Sequence, residues 1–193
     1  MKAKDFITCG VFSVLSMVGM LLAAIINVSG YTAMFYPVMA SFFMGILFVI
    51  LINKVSKRGA VLAFSIVPAL YYLTTGLIEG IIGILGVLIF GALSEWILWN
   101  NHDDMKRIVL ASSVYTLYCS TIGMAENFLF TDRYCDSALE HGINAKVVED
   151  MRTMYSIKLL WAVVIVLTAL FTVAGAMLAK RIMKNHLEKV GLV

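Results

Sequence analysis

Residues 155–178 read YSIKLLWAVVIVLTALFTVAGAML, and Lys158 is the only charged residue in this stretch. A hydrocarbon core about 30 Å thick needs roughly 20 helical residues, because an α-helix rises about 1.5 Å per residue. Inside lipid a continuous apolar run must satisfy its own backbone hydrogen bonds, which favours a helix over an isolated strand. The stretch therefore predicts a helix that crosses a membrane.

Five more apolar runs precede it, and hydropathy predicts a spanning helix for each. They cover Asp5–Val28, Thr32–Asn53, Ala60–Leu77, Glu79–Trp99 and Ile108–Phe130. With 61% hydrophobic and 14% charged residues, the chain is far more apolar than an ordinary soluble domain. We expect an all-α membrane protein, a single transmembrane domain over residues 1–193 that forms a six-transmembrane-helix bundle. The third and fourth runs are separated only by a turn-like stretch ending at Gly80.

The basic residues indicate how the bundle is oriented. Of the 15 Lys and Arg residues, all but four flank the predicted spans on one side; the four are Arg133, Lys146, Arg152 and Lys158. Cytoplasmic loops carry an excess of Lys and Arg, so the crowded side is predicted to be cytoplasmic. Six crossings then place both the N- and the C-terminus in the cytoplasm of a multi-pass protein in a bacterial plasma membrane. The basic residues form no stripe of the kind that binds nucleic acid.

The segment 131–154 is the longest polar piece, and the charge pattern places it outside the cell. Helix-forming residues predict short interfacial helices at Ala138–His141 and Ala145–Met154. Two interpretations remain open for this external loop, a lid over the bundle or a solvated connector.

Catalytic and metal-binding patterns do not assemble in this sequence. It contains no H-E-x-x-H, G-x-S-x-G or phosphate-binding P-loop motif, and its three cysteines form no C-x-x-C pair. We expect no enzyme, no intrinsic cofactor and no metal site. Without a P-loop the chain cannot power transport by ATP on its own.

Aromatic, thioether and polar residues gather at the predicted external ends of the spans. This arrangement suits a mostly apolar pocket with a few polar groups, although an interfacial aromatic belt explains single residues equally well. Tyr and Met also serve as axial ligands of haem iron, so haem is one candidate ligand. The predicted substrate-binding residues are Tyr36, Tyr71, Tyr72, Met124, Glu126, Asn127, Met154, Tyr155 and Lys158.

Glu126 and Lys158 lie at similar depths in the fifth and sixth predicted spans. Because a charge in hydrocarbon costs a few kcal/mol, such residues usually pair or serve a function. A structural salt bridge between the two and a charge facing a ligand are both open.

The first span carries small residues at helical spacing, including Ser16, Gly19 and Ala23. Small faces let another helix approach closely. These residues are predicted to dock a partner subunit, and packing within the bundle is the alternative.

Four stretches carry a resemblance to a known family. They are Lys4–Phe12, the Tyr36-Pro37 pair, Asp132-Arg133-Tyr134 and the closing Lys184–Gly191. In order and spacing they resemble the Trep_Strep family of membrane proteins, regarded as S components, the substrate-binding subunits of energy-coupling factor transporters.

The resemblance implies a six-helix subunit that binds a micronutrient from outside and lets partner subunits drive its uptake. Those partners are a transmembrane coupling subunit and two ABC-type ATPases, and the ligand is haem, an iron chelate or a vitamin-like molecule. In other S components an Ala-x-x-x-Ala motif contacts the coupling subunit, and the nearest match here runs from Gly19 to Ala23. The alternative function is a membrane scaffold or assembly factor without a small-molecule site.

Overall fold

The computed structural model describes residues 1–26, 29–74, 77–99 and 101–184, most of which are helical and none of which lies in a strand. A 3-10 turn, Tyr72–Thr74, follows α5. The closing segment from Asn185, with the predicted cytoplasmic Lys189, lies outside the described residues. The helices are α1 Ala3–Ile26, α2 Gly30–Ala33, α3 Tyr36–Lys54, α4 Ala60–Phe64, α5 Ile66–Tyr71, α6 Leu77–Leu98, α7 Met105–Ser120, α8 Ile122–Leu129, α9 Thr131–Glu140, α10 Ala145–Ser156 and α11 Lys158–Ile182.

Among the described residues, five helical stretches are long and apolar enough to cross a membrane. They match the first, second, fourth, fifth and sixth predicted spans. The predicted third span is a shorter apolar segment, Ala60–Thr74, of fewer than 18 residues. At about 1.5 Å per residue, this length is less than a core about 30 Å thick. The predicted all-α membrane fold is confirmed, with five long helices and this shorter segment.

Pro68 explains why the short segment is broken. Proline has no N–H, so the carbonyl of Phe64, four residues earlier, loses its helical donor. The hydroxyl of Ser13 on α1 donates to that carbonyl at 2.5 Å. A backbone group that would otherwise be unsatisfied in the bundle interior is therefore paired by a neighbouring helix.

The fifth span is also interrupted, at Thr121 between α7 and α8. There the Thr121 backbone departs from helical geometry, with φ −92° and ψ −82°. The indole nitrogen of Trp161 on α11 donates to the Ser120 carbonyl at 2.6 Å. The sequence predicted one continuous helix here, whereas the break makes α8 a separate short helix.

The centre of the bundle is the contact between α3 and α11, the most extensive between any two elements. A Cβ added to Gly175 would lie 2.2 Å from the carbonyl oxygen of Phe42, and one on Gly45 would lie 2.6 Å from that of Thr172. The Ser41 hydroxyl donates to the Thr168 carbonyl at 3.0 Å across the same contact. Small residues and buried hydrogen bonds hold the two backbones together, as is typical of membrane helices.

At the opposite end of the molecule from α8, Glu95 near the end of α6 binds the start of α4. Its two carboxylate oxygens accept hydrogen bonds from the backbone N–H groups of Gly59, at 2.7 Å, and Val61, at 3.0 Å. Gly59 has φ +88°, a left-handed conformation that favours glycine. Glu95 therefore acts as an N-terminal cap supplied by another helix.

Replacing Glu95 by alanine is expected to lower the free energy of unfolding by on the order of 2 kcal/mol, because two charge-assisted hydrogen bonds are lost. Thermal unfolding of the protein in detergent measures the change. Asp103→Ala removes an exposed carboxylate from the following loop and is the matched control, expected to leave the unfolding temperature unchanged. Equal unfolding temperatures for the two variants would contradict the capping role of Glu95.

Candidate functional site

A cavity of about 940 Å³ lies at one end of the bundle. This volume falls within the range of roughly 300–1,000 Å³ typical of small-molecule sites. Its walls come from the end of α1, the start of α3, the end of α5 with the 3-10 turn, the first half of α6, the end of α7, and α8 to α10. The ends of α1, α5 and α7 and the starts of α3 and α6 meet at this end of the bundle.

Seven of the nine predicted substrate-binding residues line the cavity: Tyr36, Tyr71, Tyr72, Met124, Glu126, Asn127 and Tyr155. Met154 and Lys158 are not among the lining residues. Sequence reasoning missed several others, namely Met20, Leu21 and Ala24 on α1, Cys119 on α7, and Arg133, Tyr134 and Ser137 on α9. Arg133 and Tyr134 belong to a sequence marker already noted, but nothing in the pattern indicated that they face a cavity.

Glu126 and Arg133 carry the formal charges among the described lining residues. Arg133 Nε lies 3.8 Å from Glu126 Oε1, a distance longer than a hydrogen bond. The Glu126 side chain is 33% exposed and that of Arg133 63% exposed. The cavity is mostly apolar and aromatic, and its described lining includes this ion pair. In cavities of this kind a few polar groups fix the orientation of the ligand.

Lys158 does not pair with Glu126, so the salt bridge that was one of the two open interpretations is not formed. Its ammonium group donates to the carbonyl of Phe128, and Thr131 Oγ1 lies within 3.3 Å of it. A cation at the carboxyl end of α8 satisfies carbonyls that have no partner within the helix. Lys158 thus joins the start of α11 to the end of α8 and is not among the cavity-lining residues.

Met154 is likewise outside the cavity. It packs against a second buried cluster that includes Met34, Met124 and Phe128. In the same cluster the rings of Phe128 and Trp161 are stacked at 5.5 Å with an interplanar angle of 3°. The cluster supports the cavity wall from behind, which is a packing role.

The predicted external segment forms a helical hairpin, α9 and α10, in which both helices are longer than predicted. Cys135, Ala138 and Val148 form a small core between the two helices. On the outer side, Arg152 binds Asp132 and also Asp136, the latter at 2.8 Å. The hydrogen bond to Asp136 raises the pKa of the Arg152 guanidinium. A small core and ion pairs therefore hold α9 and α10 together as one hairpin.

The hairpin covers the cavity through two tyrosines, Tyr134 on α9 and Tyr155 on α10. Their rings lie 5.7 Å apart at 85°, an edge-to-face contact. Burial raises the pKa of both phenols, so both stay protonated at neutral pH. The Asn127 side chain on α8 lies near both phenols and partly opposes this rise in pKa. The hairpin therefore packs beside α8 and forms part of the cavity wall at this end of the bundle.

The predicted docking residues on α1 face the interior of the bundle. Ser16 and Ala23 are fully buried, and a Cβ on Gly19 would lie 2.8 Å from Cβ of Phe43 on α3. The exposed face of α1 carries large apolar residues instead, among them Ile7 and Ile25. Packing within the bundle accounts for the burial of these three residues, and the missing side chain of Gly19 admits α3.

The described residues contain no group of three or more His, Cys, Asp or Glu side chains that are placed to hold a metal ion.

Comparison with known proteins gives one family match. The model of Trep_Strep, a family described as hypothetical bacterial integral membrane proteins, matches residues 3–189. No curated protein and no solved structure matches the chain. The match covers nearly the whole chain and agrees with the five long apolar helices. The chain therefore belongs to the Trep_Strep family and is a multi-pass protein of the bacterial plasma membrane.

Proposed function

We propose that the chain is the substrate-binding S component of an energy-coupling factor importer. In this role it captures a small, largely apolar micronutrient from outside the cell, such as haem, an iron chelate or a vitamin. The observation that carries the proposal is the 940 Å³ cavity under the α9 and α10 hairpin. Its tyrosine-rich walls and its single Glu126 and Arg133 pair suit an apolar ligand with a polar end.

Uptake in this proposal depends on partner subunits. The sequence has no P-loop, so ATP hydrolysis must come from two ABC-type ATPases through a transmembrane coupling subunit. The resemblance of the chain to S components supports this division of labour. The cavity is then the site of capture, and the partners supply the energy that moves the ligand inward.

Six crossings with both termini in the cytoplasm are part of the proposal. The Ala60–Thr74 segment is its third crossing. Support comes from the ends of this segment, since Gly59 contacts Glu95 near the end of α6 whereas Tyr72 reaches the cavity beside Gly83 near the start of α6. The segment therefore runs antiparallel to α6 from one end of the bundle to the other, despite its broken helix.

The test begins with the purified chain in detergent, without nucleotide. Mass spectrometry identifies small molecules that copurify, and a visible spectrum reveals haem. Titration with haemin, riboflavin and thiamine, followed by absorbance or fluorescence, measures affinity directly. We expect Glu126→Gln to weaken binding of the accepted probe about tenfold, which corresponds to about 1.4 kcal/mol.

Glu140→Gln is the matched control, because this exposed carboxylate on α9 is not among the lining residues. Vesicles that contain the chain alone should bind the probe without accumulating it, and accumulation should require the coupling subunit, the ATPases and ATP. Accumulation by the lone chain would contradict the proposal. Failure to bind every probe, with no copurifying molecule, would favour the scaffold alternative.

A further inference from the structure

Tyr72 lies where α6, α7 and α8 meet, in the 3-10 turn that follows α5. Three glycines from two helices surround it. A Cβ on Gly80 would lie 2.5 Å from the carbonyl oxygen of Tyr72, one on Gly83 would lie 2.0 Å from the Tyr72 ring, and one on Gly123 would lie 3.1 Å from its hydroxyl. The backbone carbonyl, the ring and the hydroxyl of Tyr72 therefore each occupy space that a glycine leaves free.

The ring also has an aromatic neighbour on its inner side. Tyr118 is 1% exposed, and its ring centroid lies 6.4 Å from that of Tyr72 at an angle of 72°. Behind Tyr118 the interior is filled by aromatic rings, the first being Tyr115 at 5.5 Å. Such close-packed interiors give way very little, so the Tyr72 ring has little room to retreat.

Tyr72 lines the cavity together with Gly83, Cys119 and Gly123. We propose that Tyr72, seated against Gly83 and Gly123, forms the inner wall of the cavity and sets the size of ligand that it accepts. This inference rests on the proposed function, because it assigns a specificity-determining residue to the same binding site. A smaller side chain at residue 72 opens space toward Cys119, and a larger one at residue 83 drives the ring into the cavity.

Cys119 is a natural reporter for this wall, since it is 4% exposed and lines the cavity. The variant Cys9→Ala, Cys135→Ala leaves it as the single cysteine of the chain. In lipid nanodiscs, the rate of Cys119 modification by a small methanethiosulfonate and by a bulky maleimide then measures access through the cavity. This measurement needs no knowledge of the natural ligand.

Tyr72→Ala is expected to raise the rate with the bulky maleimide about tenfold, because exposure governs the reaction of a thiol of this kind. Gly83→Ala is expected to lower the rate with the small reagent. In the double variant the effect of Gly83→Ala should vanish, since no ring remains to be displaced. Unchanged rates in both single variants would overturn the proposal.

Gly91→Ala is the matched control on the same helix. A Cβ there meets Ser65 Oγ at 2.7 Å and no cavity-lining residue, so Cys119 access should stay at the parent value. If Gly83→Ala fails to fold, Tyr72→Ala and the milder Tyr72→Leu still decide the result. If the substitutions change the access of reagents to Cys119 but not the binding of ligand, the role of Tyr72 as the inner wall is supported. Only the proposed function is then contradicted.

Discussion

Replacing Gly175 by valine is expected to destabilise the bundle strongly. A Cβ at this position would lie 2.2 Å from the Phe42 carbonyl oxygen and 3.4 Å from the backbone nitrogen of Ile46. These are backbone atoms of the facing helix, so no side chain can rotate away and α3 and α11 must separate. Overpacking of this kind costs about 3 kcal/mol or more, enough to lower the Tm by roughly 10 °C.

The measurement is thermal unfolding in detergent, with the monomer peak in size-exclusion chromatography as a second readout. Gly10→Val is the matched control, because nothing lies within 4 Å of a Cβ at Gly10 on α1. Both substitutions place the same β-branched residue in a long apolar helix, and only one of them meets a neighbour. A Gly175→Val protein as stable as Gly10→Val would show that the α3 and α11 contact does not hold the bundle together.

The second prediction concerns orientation and is close to all-or-none. In a chain without its three native cysteines, Glu140→Cys places a thiol on the α9 and α10 hairpin, and Asp103→Cys places one in the loop between α6 and α7. Both positions are exposed carboxylates, which makes the pair well matched. A membrane-impermeant maleimide added to intact cells should label the hairpin thiol at least about tenfold more, because the excess of basic residues predicts that the other loop is cytoplasmic.

After the cells are permeabilised, the two thiols should react to the same extent. The reverse pattern, with the loop thiol labelled in intact cells, would place the cavity and the hairpin in the cytoplasm. Capture of a nutrient from outside would then be untenable, whereas the helical fold itself would stand. The experiment therefore separates the proposed function from the architecture.

Hydropathy predicted most of the fold because it is a local property of the chain. A run of apolar residues is helical in lipid regardless of its neighbours, so five spans were found close to their predicted bounds. The third span is shorter than predicted, because Pro68 breaks the helix. The carbonyl left without a helical donor is paired by Ser13, which is far away in sequence. The interruption at Thr121 was missed because its compensating partner, Trp161, lies on another helix.

The candidate site was predicted in part. Tyr36, Tyr71 and Tyr155 were assigned to one end of the bundle from their positions at the ends of spans, and they do line the cavity. Lys158 was assigned by depth alone, and depth does not say in which direction a side chain extends. It satisfies carbonyls at the end of α8 instead.

The sequence by itself determined that this protein is a helical bundle in a membrane, and it determined where most of the helices run. Only the tertiary structure decided which face of each helix points inward, so that Ser16 and Ala23 are buried while Met20 and Arg133 reach the cavity. The physical reason is the solvent. A helix that is apolar on all sides carries no hydrophobic stripe to mark its inner face, because lipid and protein interior are equally apolar, and close packing at small residues then sets its rotation.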